Sequence, residues 1–231
     1  MQSWGIQSRF DYRDTLRYPS KSGVIGMICS ALGRSRTEPL DDLIGLKMTV
    51  RIDHAGVYGV DYQTAGGGEF NGKEYCVINS DGKYDKKRNA ITSYRYYLAD
   101  AEFHVALEGN SDTINMIKNA LHNPKWFLCL GRKAFVPTLP IYQGVHEKDA
   151  LEVFKEIPWK PKHSGQELPE KLQVIIECGY NEGDSFLTDV PISFDYDKRK
   201  YSIRYIKHDY IDNPNFAKDE KNEYTFDEIN A

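Results

Sequence analysis

No apolar run in the 231 residues approaches the roughly 20 that a membrane-crossing helix needs. The first 20 residues carry five charges and no apolar stretch like that of a secretory leader, so the chain reads as cytoplasmic. Cysteine is scarce. Cys29, Cys76, Cys129 and Cys178 are spaced 47, 53 and 49 residues apart, with no CxxC pair and no histidine at ligand spacing. That spacing argues against a zinc module and against a disulfide framework. Cys29, Cys129 and Cys178 lie in apolar runs and read as core residues. Also missing are GxSxG, HExxH, GxxxxGK[ST] and any paired-carboxylate motif. A serine hydrolase, a zinc peptidase and a P-loop nucleotidase are therefore not expected. No cofactor, metal or small-molecule substrate is expected, and no repeat of fixed period occurs.

What is present is the composition of a folded domain, with 40% hydrophobic and 28% charged residues. The net charge of −4 conceals a strong asymmetry. Residues 1–36 hold Arg9, Arg13, Arg17, Lys21, Arg34 and Arg36 against only Asp11 and Asp14. Residues 83–88 add Lys83, Lys86, Lys87 and Arg88 against Asp85, whereas residues 209–231 hold seven acids and two lysines. An acidic tail (211–231) thus masks a basic front half, and local patches rather than total charge decide binding to a polyanion.

Periodicity gives the element order. Residues 20–32 read as a helix capped by Ser20 or Ser22, with Val24, Ile25, Met27, Ile28, Ala31 and Leu32 inside and Gly33 as its stop. Residues 47–54 alternate as a half-buried strand. Residues 61–95 carry Gly66-Gly67-Gly68, Asn71-Gly72 and Asp81-Gly82 and read as an inserted, extended hairpin. Residues 96–108 alternate again. Ser111 or Asp112 opens a helix that Asn123-Pro124 ends, and Trp126–Leu130 reads as a short buried strand. Beyond residue 141, a helix at 149–156 and strands at 172–178, 186–194 and 201–210 make a β-rich C-terminal part (141–210).

Three segments look chemically pointed. In Met1-Gln-Ser-Trp-Gly, Trp4 either packs or stacks on a base. Pro19-Ser-Lys-Ser-Gly, at a helix start, offers Ser20, Lys21, Ser22 and Gly23 as a phosphate cradle, or else is a well-capped helix with a solvated lysine. Leu130-Gly-Arg-Lys-Ala sets Gly131 beside Arg132 and Lys133, a turn with two adjacent cations suited to phosphates. Among the six histidines, His54 follows a strand and is the one candidate for a metal-independent ribonuclease.

The ordered set MQSWG, Arg9 and Arg13, PSKSGVIGMICSALGR, RIDHAG at 51–56, YYLADAEF at 96–103, LGRKA at 130–134 and DVPISFD at 189–195 resembles the CasD family, the type I-E CRISPR-associated subunit of the RAMP superfamily. The resemblance covers roughly residues 1–210. It implies an α+β, ferredoxin-like (RRM-related) RAMP domain over 1–140, with the 61–95 hairpin as a thumb. It implies a non-catalytic subunit that caps the Cascade antiviral complex and holds the crRNA 5′ handle against its backbone and large subunits. The implied RNA contacts are Trp4, Arg9, Arg13, Ser20, Lys21, Ser22, Gly23, Gly131, Arg132 and Lys133; Lys86, Lys87 and Arg88 are added on charge alone. The type I-C relatives imply the alternative, an endoribonuclease. A ferredoxin-like core runs β-α-β-β-α-β, and this chain supplies α-β-β-α-β. The expectation is that its central first strand is missing, through a misassigned start or a truncation, leaving strands 99–107 and 126–130 with unpaired buried amide groups.

Overall fold

The computed structural model describes residues 1–7, 11–67, 69–70, 73–74, 76–78, 81–85 and 90–216. Arg9, Lys86, Lys87, Arg88 and the tail from residue 217 lie outside them. The chain begins with β1 (Tyr12–Arg13), α1 (Lys21–Leu32), α2 (Asp41–Ile44), β2 (Lys47–His54) and β3 (Val57–Ala65). Two short ladders follow, β4 (Glu69–Phe70) with β5 (Lys73–Glu74) and β6 (Val77–Ile78) with β7 (Tyr84–Asp85). Then come β8 (Ile91–Ala99), β9 (Glu102–Glu108), α3 (Ser111–His122), α4 (Ala150–Glu156), β10 (Lys171–Cys178), β11 (Ser185–Ser193) and β12 (Lys200–Asp212).

The main sheet is five-stranded and antiparallel, in the order β11-β12-β10-β2-β9. The C-terminal strands and the strands flanking the insertion therefore share one sheet. Val24, Ile25 and Ile28 of α1 pack with Met48, Val50, Ile175, Ile206 and Ile117 in one core cluster. On the opposite face Phe154, Trp159, Leu172, Val174 and Ile211 form a second. Two covered faces correct the reading of 47–54 as half-buried: Thr49 and Arg51 are as buried as Met48 and Val50. Arg51 survives there because every face of its guanidinium has work. It donates to Asp53 (Nε to Oδ1, 2.7 Å) and to the carbonyls of Phe154 and Ile157 at the end of α4.

The insertion is longer than the glycine turns suggest. β3 and β8 pair from Val57↔Ala99 out to Ala65↔Ile91, while β2 and β9 pair directly beneath them. The single strand read over 96–108 is two strands. The chain leaves the main sheet at Gly56 (φ 69°) and re-enters at Asp100 (φ 57°), and a Cβ on Gly56 would lie 2.4 Å from the carbonyl oxygen of Ala99. β1 adds to β8 in parallel, Tyr12↔Tyr94 and Arg13↔Arg95, giving a separate three-stranded sheet, β1-β8-β3.

Three further expectations change. The cap of α3 is Asn110, whose side chain accepts from the Thr113 N–H at 2.9 Å, one residue before the expected position. Residues 126–130 form no strand, and Trp126 and Phe127 are exposed. The segment is pinned instead by the Trp126 N–H on the Ser30 carbonyl (3.1 Å) and the Leu130 N–H on the Phe135 carbonyl (2.8 Å). Of the segments read as short of a partner strand, β9 pairs with β2 alone and is an edge of the main sheet among the described residues, whereas Leu98 and Leu130 find partners near the first residues. Gln2 exchanges two backbone hydrogen bonds with Leu98 (2.9 and 2.8 Å), and the Ser3 N–H donates to the Leu130 carbonyl (3.0 Å). Residues 2–3 thus lie between the end of β8 and the 126–130 segment.

Candidate nucleic-acid interface

The start of α1 has the chemistry of an anion site. Ser20 accepts from the Gly23 N–H (3.3 Å), Gly33 closes the far end in a left-handed conformation, and the helix dipole favours negative charge at the first turn. The anion is already there, and it belongs to the chain. Asp189 Oδ2 accepts from the Lys21 N–H at 2.7 Å. Arg204 grips the same carboxylate with Nε (2.7 Å) and Nη2 (3.0 Å). Lys21 Nζ is turned inward onto Glu177 at 2.7 Å, with Lys21 only 2% exposed. Ser20 is buried and Ser22 leans on it (Oγ to Oγ, 3.5 Å).

This corrects the reading of Ser20, Lys21, Ser22 and Gly23 as a phosphate cradle. The site is a four-charge network, buried except for the partly exposed Glu177, that ties α1 to β10, β11 and β12. Trp4 is corrected with it. At 3% exposure it lies in the main core, its Nε1–H donating to Gln2 Oε1 (3.0 Å). Gly23 is a glycine because its Cβ would sit 2.7 Å from the Trp4 ring.

The Gly131–Lys133 turn differs. Gly131 has φ 88°, and a Cβ there would lie 1.7 Å from the Ser3 carbonyl oxygen, so the close approach is to the chain's own backbone rather than a ligand. That contact aims Arg132 at the β1-β8-β3 sheet, where its Nη2 donates to the carbonyls of Tyr96 (2.9 Å) and Arg13 (3.3 Å). Its Nη1 is buried and finds no partner among the described residues. Burial, followed by the nearby Arg95 charge, holds the Arg132 guanidinium below its ordinary pKa, with Asp61 and Asp14 partly offsetting this.

Arg13 and Arg95 are register neighbours across β1 and β8. Three guanidinium groups therefore converge on one notch, and among the described residues none of the three is in an ion pair. Lys133 is exposed beside it. Arg95 escaped the sequence reading because only the parallel pairing of β1 with β8 brings it to Arg13.

His54 is not a free base. The Lys160 carbonyl can only accept, so the His54 Nε2–H donates to it (2.9 Å), and Nδ1 faces the Gln166 amide at 3.3 Å. Among the described residues no group of three or more His, Cys, Asp or Glu side chains is placed to hold a metal ion, and no helix is long and apolar enough to cross a membrane.

Two solved structures share this architecture. A chain of a "CRISPR RNA-guided surveillance complex" aligns with TM-score 0.77 at 39% identity, covering 92% of this chain and 87% of that one. A "Crystal structure of Cas protein" aligns with TM-score 0.67 at 34% identity, covering 91% and 90%. The fold is thus that of a mixed α/β CRISPR-associated protein. The model of the family described as "CRISPR-associated protein (Cas_Cas5)" matches residues 1–207, and the chain belongs to that family. Among curated relatives, "CRISPR system Cascade subunit CasD" of Escherichia coli (strain K12) is 30% identical over 158 residues, spanning 62% of this chain and 66% of that protein. The CasD resemblance seen in the sequence is borne out.

Proposed function

We propose that this protein is a non-catalytic subunit of a cytoplasmic, type I-E-like Cascade complex that caps the assembly and holds the 5′ handle of its crRNA. The printed names of its relatives, a Cascade subunit and an RNA-guided surveillance complex, support this reading. So does the RAMP-type ferredoxin-like plan read from the sequence, with its C-terminal β-rich part and its thumb. The observation that carries it is the Arg13–Arg95–Arg132 notch with its unpartnered Arg132 Nη1. Clustered guanidinium groups that form no ion pair among the described residues are suited to phosphate, which they bind through charge-assisted, often bidentate hydrogen bonds. The partners are the crRNA and the neighbouring backbone and large subunits. The endoribonuclease alternative needs an available base, and both His54 nitrogens are engaged.

The test is binding of a 5′-labelled repeat RNA across a salt series in EDTA. Affinity falls as salt rises, because phosphate contacts release counterions. Arg132→Glu weakens binding by about tenfold or more and flattens that slope by about one contact. Salt-independent binding, or an Arg132→Glu variant that binds normally, overturns the handle-binding role. Specific cleavage that His54→Ala abolishes overturns the non-catalytic one.

A further inference from the structure

The β1-β8-β3 sheet has two chemically different faces. In the registers Tyr12↔Tyr94, Tyr62↔Tyr94 and Val60↔Tyr96, paired residues share a face, so Tyr12, Tyr62, Tyr94 and Tyr96 are gathered on one side. Their ring centroids lie 5.1 Å apart for Tyr62–Tyr94, 5.5 Å for Tyr12–Tyr94 and 5.8 Å for Tyr12–Tyr96. Three of them are open to solvent: Tyr12 at 57%, Tyr62 at 55% and Tyr94 at 40%. The residues between them in sequence, Arg13, Asp61 and Arg95, take the other face, the one that receives Arg132.

Exposed rings of this number are costly to leave in water and contribute nothing to either core cluster. They form a shelf, and what fits a shelf of aromatic faces is another flat ring. β1 is the outer edge of this sheet. Consecutive residues on a strand point to opposite faces, so a single strand passing that edge meets Arg13 on one side and Tyr12 on the other. Farther down the same face, Arg17 lies over the Tyr58 ring at 5.0 Å, adding a cation to its margin.

We infer that Tyr12, Tyr62 and Tyr94 form a base-stacking platform for single-stranded RNA, whose phosphates run to the arginine notch around the β1 edge. Stacking is tolerant of sequence because every base has a π face, so the platform fixes the path of the strand rather than its identity. The platform rests on the RNA-binding reading above and adds to it a second, uncharged set of contacts.

The two are separable by salt. The full chain is titrated with a labelled single-stranded repeat RNA and with an abasic oligonucleotide of equal length. Tyr62→Ala and Tyr94→Ala are each expected to weaken RNA binding about tenfold to a hundredfold with the salt slope unchanged. Tyr94→Phe restores it, since the ring and not the hydroxyl stacks. The abasic strand binds wild type and alanine variants alike. Alanine variants that bind RNA like the wild type, while Arg132→Glu does not, overturn the platform and leave the RNA reading standing. So does failure of Tyr94→Phe to restore binding. Loss of association with neighbouring subunits, with RNA affinity intact, makes the face a protein contact and overturns the platform. A wild-type chain that binds neither oligonucleotide overturns both readings.

Discussion

The start of α1 and the Gly131–Lys133 turn share the same ingredients: a glycine and adjacent cations. They end in opposite states. At α1 the cations Lys21 and Arg204 are closed off by Glu177 and Asp189, and all but the partly exposed Glu177 are buried. At the turn, Arg132 meets two other arginines and, among the described residues, only carbonyl oxygens as acceptors. A helix start rich in serine and lysine signals that an anion belongs there. It does not say whose anion. Asp189 lies 168 residues from Lys21 in sequence and settles the matter for α1.

Several measurements break or sharpen this contrast. The largest effect is expected from Asp189→Ala, which leaves the buried Arg204 without its carboxylate. Unfolding in urea should show a loss of about 3–5 kcal/mol, the usual penalty for orphaning a buried charge. Lys21→Glu should behave similarly, since it sets a third carboxylate beside Glu177 and Asp189. Either variant unfolding like the wild type would mean that the α1 network is peripheral. Arg132→Ala should cost only about 1 kcal/mol of stability, for hydrogen bonds lost at a half-exposed site, while weakening RNA binding about tenfold. The two sites thus exchange the sign of the contrast: one matters for folding, the other for binding.

A pH titration probes the structural class further. Burial raises the Asp53 pKa, but hydrogen bonds from His104 and Arg51 outweigh it and hold the carboxyl below its ordinary value. A carboxyl depressed in the folded state contributes stability that is complete above its unfolded pKa near ~3.9 and is lost as pH falls through the folded value. Acid unfolding should therefore be shallower in Asp53→Asn than in wild type below about pH 4. An unchanged acid limb would remove Asp53 from the network. The smallest effect is expected from His54→Ala, about 1 kcal/mol or less by thermal melt, with RNA binding unaltered.

Local patterns were legible where local physics decides. Ser20 and Gly33 bound α1 as read, because capping geometry depends on a few adjacent residues. The alternation at 47–54 gave a strand with its ends in place. The break at Gly56 and Asp100 was not legible, since an alternating pattern runs through 96–108 whether or not the strand changes sheets. Trp126–Leu130 carries strand-forming residues, yet its neighbours leave it no ladder to join. Trp4 had two readings in sequence, and only the packing of Gly23 against its ring chose the core. The tyrosines of the platform were missed because Tyr12, Tyr62 and Tyr94 are far apart in the chain and look like ordinary strand residues until the registers align them.

The amino-acid sequence by itself determined most element types, the basic front half, the insertion between two strands and the family, all of which rest on short-range pattern or on motif order. Only the tertiary structure decided which cations are free. That depends on long-range pairing: β10 and β11 bring the acids Glu177 and Asp189 to Lys21, while β1 against β8 brings arginine to arginine. Charge–charge energies depend on distance and burial, and neither is written in the spacing of residues along the chain.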